Sequence, residues 1–174
     1  MFKIIAIVVV VLIATILIYA ATRPDAFHVE RSTNIKAAPE KIFALINDFH
    51  QWDAWTPYNK DPAMKKTFSG NASGVGAVSA WEGNSDVGQG SIAITETSPP
   101  AKIVLDLHMI KPFEARNVVV FTLNAAGGST TVTWGMDGKQ NFIVKIMGLF
   151  FSMDNMVGKD FEVGLARLKS VAEK

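Results

Sequence analysis

Residues 4–21 of this 174-residue chain read IIAIVVVVLIATILIYAA, apolar at every position except Thr15. As a helix they span about 27 Å at about 1.5 Å per residue, close to a hydrocarbon core of about 30 Å. The β-branched run Val8–Val11 is poor for a helix in water, but lipid offers the backbone no other partner and enforces one. A buried core helix would carry a polar face, and a cleaved signal peptide wants an Ala-x-Ala exit. The exit here is Ile18-Tyr19-Ala20-Ala21-Thr22, with Tyr19 placed as an interfacial anchor. A retained single-pass membrane anchor over 4–21 is therefore expected. Residues 1–25 then form the anchor and a short tether, and residues 26–174 a single ligand-binding domain. Lys3 favours an inside amino terminus, whereas Arg23, Arg31, Lys36 and Lys41 favour the domain inside. Long folded domains translocate regardless of such charge, and the reading leans extracytoplasmic. The tether from Thr22 to Phe27 reaches about 20 Å when extended, so the domain stays near the bilayer surface.

The remaining 149 residues suit one domain, long enough to bury roughly two thirds of the surface its unfolded chain exposes. Two of the 17 basic residues and one of the 16 acidic ones lie in 1–25, which leaves fifteen of each and a neutral domain. Without a basic block it has no electrostatic footprint for nucleic acid. The absence of cysteine excludes disulfides, thiolate nucleophiles, iron–sulfur clusters and cysteine zinc sites.

Hydrophobic periodicity divides the domain in three. FHVERSTNI (27–35) alternates as a first strand, and Pro39 opens a helix carrying Ile42, Phe43, Leu45 and Ile46, followed by the aromatic stretch 49–58. From Met64 to Gly138 the period is two, with strands expected at 64–69, 76–82, 89–98, 102–111, 115–125 and 129–137. Gly70-Asn71, Gly83-Asn84, Pro99-Pro100, Lys111-Pro112 and Gly127-Gly128 separate them. The period then returns to 3.6, giving a short helix over 142–151 and a long one from 153 to 173. Met153, Val157, Phe161, Leu165, Leu168 and Ala172 form one stripe on the long helix. These switches predict an α+β fold in which a curved antiparallel sheet grips the C-terminal helix.

Three stretches carry a family resemblance: APEKIFALINDFHQWDAWTPY (38–58), GVGAVSAWEGNSDVGQGSIAITETSPPAKIVLDLHMIKPF (74–113), and TVTWGMDG (131–138) with the long helix after it. In these the chain resembles the START-like, helix-grip (SRPBCC) superfamily, in its bacterial polyketide cyclase/dehydrase and lipid-transport branch. The resemblance covers residues 27–173. It implies a START-like fold with an apolar cavity between sheet and long helix, and a hydrophobic small molecule or lipid as partner. It does not choose a reaction, since one such cavity serves carriers, cyclases, hydrolases and chaperone regulators.

The residues support a lining by themselves. Trp81 shares strand parity with the small Ala77 and Ser79, while Leu107, Met109, Phe121, Trp134 and Met136 lie on the other apolar strand faces. Phe161 and Leu165 come from the helix, and Met147, Met153 and Met156 would add an adaptable wall. Each is equally compatible with ordinary core. Chemistry is harder to find. GQGSIA (88–93) matches a dinucleotide fingerprint in letters, but strand continues where that motif needs a helix. There is no nucleophile elbow or phosphate loop, and His28, His50 and His108 lack metal-ligand spacing, so neither cofactor nor metal is expected. Two weak catalytic candidates remain. His108 shares a strand face with Asp106 as a possible general base, but that face opposes Leu105, Leu107 and Met109. Glu96 shares parity with Ile92 and Ile94, where a carboxyl is either partly buried with a raised pKa or at the solvent edge. Binding of an apolar ligand at the membrane is the expected function. A cyclase/dehydrase-type enzyme and a membrane scaffold for a protein partner are the alternatives.

Overall fold

The computed structural model describes residues 2–140, 142–149 and 152–174. Helix α1 (Phe2–Ala21) is apolar throughout and long enough to cross a membrane, with almost none of it buried against the rest of the chain. The remaining elements run β1 (Ala26–Ile35), α2 (Pro39–Asn47), a 3₁₀ segment (Phe49–Ala54), β2 (Lys65–Gly70), β3 (Ala77–Glu82), β4 (Gln89–Ser98), β5 (Lys102–Lys111), β6 (Ala115–Ala126), β7 (Ser129–Lys139), α3 (Phe142–Met147) and α4 (Met153–Ala172). All seven strands join one antiparallel sheet in the order β1-β7-β6-β5-β4-β3-β2. This is the α+β architecture that the periodicity predicts and the helix-grip fold that the resemblance implies. Only β1 leaves its sequence neighbour, pairing with β7 so that the last strand carries the chain back beneath α4.

Local chemistry sets the frame. Pro39 starts α2 without needing an amide donor, and Ile42, Phe43 and Ile46 bury one face. The final carbonyls of a helix have no partner within it. Here the aromatic stretch supplies two: the Trp52 indole donates to Ile46 O at 2.8 Å and the Trp55 indole to Leu45 O at 3.1 Å. Each such bond contributes about 1 kcal/mol net. Trp55 is thereby fixed in the core against Phe121 and Trp134, with ring centroids 6.1 and 5.8 Å away.

Helix α4 begins at Ser152, whose side chain accepts from Asn155 N at 3.2 Å. Two glycines let it lie close to its neighbours. Gly158 passes over the Arg31 guanidinium, and Gly164 lies against the Trp134 ring and Pro57. Arg31, on the inner face of β1, donates to both Asp154 oxygens (2.9 and 3.0 Å) and from Nε to Glu162 (2.8 Å). These carboxylates hold its pKa well above the ordinary arginine value, Asp154 most. The stripe read from the sequence divides along its length: Phe161, Leu165, Leu168 and Ala172 are buried, whereas Met153 and Val157 are only half-buried.

The short helix ends earlier than its pattern predicts. At Gly148 the bonding tightens, with Gly148 N on Val144 O followed by Leu149 N on Ile146 O, so α3 stops at Met147. Glycine's backbone freedom makes it a poor place to continue. The rest of the expected 142–151 segment includes Phe150 and Phe151, which lie outside the described residues.

Candidate functional site: an apolar cavity in the grip

Between the sheet and the first half of α4 lies a cavity of about 440 Å³. Small-molecule sites fall within about 300–1,000 Å³. The sheet supplies Ser79, Trp81, Ile92, Leu107, Met109, Asn117, Val119, Trp134 and Met136; α4 supplies Met153, Val157 and Phe161. Phe49, Trp52, Thr56, Tyr58 and Met64 close one side, and Phe27, Val87, Pro112, Phe113 and Val144 form the end nearest the start of β1.

Trp81 is positioned by the strand beside it. Its indole donates to Val87 O at 3.0 Å, and its ring lies over Gly90, where a Cβ would stand 2.7 Å from the ring. The opposite wall is the stack of Trp134 on Phe161, 4.1 Å between centroids and 12° between planes. The Trp134 indole nitrogen is buried without an acceptor among the described residues. Five charged residues reach the wall, and Asp86 and Lys139 have no ion-pair partner among the described residues. Lys66 bonds Asp53 and Asn59, and Lys60 pairs with Asp160 at 3.0 Å. The Lys66 bond holds the Asp53 carboxyl below its ordinary pKa despite partial burial. Burial, with the Asp160 carboxylate second, keeps the Tyr58 phenol neutral far above its usual pKa.

Asn117 is different. It is 8 % exposed, it lines the cavity, and no hydrogen bond to its side chain is found among the described residues. Its oxygen packs over Gly138, where any Cβ would collide with it. An amide facing the cavity without a protein partner is available to a ligand that carries a matching polar group.

Of the eight residues read as lining from the sequence, Trp81, Leu107, Met109, Trp134, Met136 and Phe161 stand in this wall. Phe121 and Leu165 do not; both are fully packed in the core, Phe121 behind Trp52, Trp55 and Trp134. Strand and helix periodicity give the face but not the depth along it, and these two lie deeper than the cavity reaches. Met147 and Met156 are likewise outside the wall, on the exposed sides of α3 and α4; only Met153 of the three lines it. Asn117 was legible as a polar residue sharing the parity of Val119, Phe121 and Leu123 on β6.

The profile of the family described as "Polyketide cyclase / dehydrase and lipid transport" matches residues 26–173. The chain belongs to this family. Solved structures agree on the fold. Ginseng major latex-like protein 151 from Panax ginseng has a TM-score of 0.63 at 13% identity, covering 87% of this chain and 100% of that one. Aha1 from Colwellia psychrerythraea has 0.58 at 19%, covering 84% and 96%. The di-domain ARO/CYC BexL from the BE-7585A biosynthetic pathway has 0.63 at 12%, covering 90% of this chain and 53% of that one. No curated protein sequence matches the chain. At these identities the likeness is one of fold alone.

The two catalytic candidates lie away from the cavity of this family member. The β4–β5 register shifts between Ile94 and Glu96, so that Glu96 pairs with Val104 rather than continuing the inner row of Ile92 and Ile94. The bulge at Thr95 turns the Glu96 carboxylate outward, where Lys102 meets it at 3.3 Å. His108 also lies on the outer face, with Nε2 3.2 Å from Glu114, while its expected companion Asp106 pairs with Arg116 at 3.1 Å. His28 and His50 each bond a different carboxylate, Asp137 and Asp48. Of the glycines in GQGSIA, Gly88 lies in the β3–β4 connection in the left-handed region at φ +64°, and Gly90 lies within β4 under the Trp81 ring.

Proposed function

We propose that this chain is a membrane-anchored binding or transport protein for a hydrophobic small molecule or lipid. The ligand is held between the sheet and α4. The observation that carries this reading is the cavity itself: a wall mainly of aromatic, aliphatic and thioether side chains, with Asn117 as a polar group that has no hydrogen-bond partner among the described residues. Apolar burial at about 25 cal/mol per Å² supplies affinity, and one amide fixes orientation. Glu96 and His108 pair with Lys102 and Glu114 away from the wall, which supports binding over turnover by either of them. The anchor is α1, with residues 26–174 as the binding domain on the extracytoplasmic side.

The test is mass spectrometry of organic extracts from the purified full chain, against a mock purification and a cavity-filled Leu107→Trp/Val119→Trp variant. An apolar species near one per chain in the wild type and lost from the folded variant is expected. Equal content in both would overturn the reading and favour a scaffold for a protein partner.

A further inference from the structure

The end of the cavity lined by Phe27, Pro112, Phe113 and Val144 and the end of α1 are the same end of the molecule. Strand β1 starts at Ala26, five residues after α1 stops, and Ala26 pairs with Lys139, just before α3. Asn117 pairs with Gly138, and Met109 with Ala115, so the turn holding Phe113 projects from that end too. Helix α3 packs against α1. Ile16 and Ala20, one turn apart, are the positions of α1 withdrawn from solvent among the described residues. The Lys145–Asp25 ion pair and the Gln140 N to Asp25 O bond (2.8 Å) tie the start of α3 to the tether.

This end also exposes apolar side chains that no described residue covers: Phe113 is 59%, Ile143 61%, Phe142 46% and Met147 46% exposed. Phe113 and Val144, the neighbour of Ile143, line the cavity. We infer that α3 and the Phe113 turn are embedded in the bilayer surface, forming a portal through which the cavity exchanges its ligand directly with the membrane. The occupant is the lipid bilayer because of where α1 ends. A spanning helix of this length matches the hydrocarbon core, so its last two turns lie at the core's edge. Helix α3 beside them is held at the depth where interfacial helices sit, about 5–10 Å into the headgroup and acyl boundary. The inference rests on the anchored-carrier reading.

The chain has no cysteine, so single cysteines carrying an environment-sensitive fluorophore report depth without background. The full chain is reconstituted in phosphatidylcholine vesicles with lipids spin-labelled at shallow and at deep positions as quenchers, the deep label reporting Val9. The labels sit at Phe113, at Ile143, at Val9 inside α1, and at Ala126 on the opposite end of the sheet. Quenching at Phe113, Ile143 and Val9, with Ala126 remaining in water, is expected. Quenching at Val9 alone would overturn the portal while leaving the anchor standing; no quenching at Val9 would overturn the anchor and the portal together. In a second arm, Ile143→Asp/Met147→Asp, outside the cavity wall, should slow loading of a fluorescent fatty acid from vesicles by about tenfold, since it removes apolar insertion. An unchanged loading rate would overturn the portal.

Discussion

Gly158 and Gly164 occupy similar places on α4 but face different neighbours, and their substitutions should separate. A Cβ at Gly164 stands 2.6 Å from the Trp134 ring and 3.0 Å from Pro57, both rigid and buried, so Gly164→Ala is overpacked. It should destabilise the chain by about 1–3 kcal/mol, against a helix-propensity gain of about 1. A Cβ at Gly158 meets the end of a long arginine, which swings aside at the cost of its bonds to Asp154 and Glu162. Gly158→Ala should therefore cost less, and denaturant midpoints of the two variants in detergent give the order. Asn117 makes a second residue-scale prediction. Asn117→Leu should weaken binding of a fatty acid or alcohol probe about fivefold to tenfold, corresponding to one hydrogen bond of about 1 kcal/mol. A hydrocarbon probe of the same length should bind unchanged or better, and fluorescence titration of the two variants with both probes measures it.

At the scale of elements, the β1–β7 seam is the one sheet pairing that reaches across the chain, and its outer face is fastened by polar pairs. His28 Nδ1 lies 2.7 Å from Asp137, and Ser32 Oγ 2.8 Å from Thr133 Oγ1. The Asp137 bond raises the His28 pKa above 6.5, against a smaller desolvation effect. A raised folded-state value means that the stabilisation is complete below pH 6.5 and is lost as pH rises through the folded pKa. Because the pair is more than half exposed, solvent screening limits it to about 0.5 kcal/mol. His28→Ala should lower the melting temperature by about 1–2 °C at pH 6 and by less at pH 8.5, read by calorimetry. The elements themselves were largely legible, because alternation and 3.6-residue periodicity are local consequences of which face is buried. What local reading missed was the bulge at Thr95. One extra residue reverses the parity after it, and Glu96 moves from the inner row to the outer face. The same locality explains Phe121 and Leu165: a repeat pattern carries no information about how far along a strand or helix the packed core extends.

For the whole molecule, the anchored reading makes a direct prediction. Full-length chain should stay with membranes through alkaline carbonate extraction, while the chain from residue 26 should appear in the supernatant. Equal distribution of the two would remove α1 from the account. The sequence by itself determined the apolar span, the order and nature of the elements, the family resemblance, and the faces that six of the wall residues share, since all of these follow from side-chain chemistry repeated at short range. Only the tertiary structure decided which apolar face is cavity and which is core, where Glu96 and His108 point, and that α3, Phe113 and the end of α1 meet at one end of the grip. Those depend on register, on a single bulge and on the close approach of α4 at two glycines, contacts between residues more than 130 positions apart, such as Arg31 and Glu162.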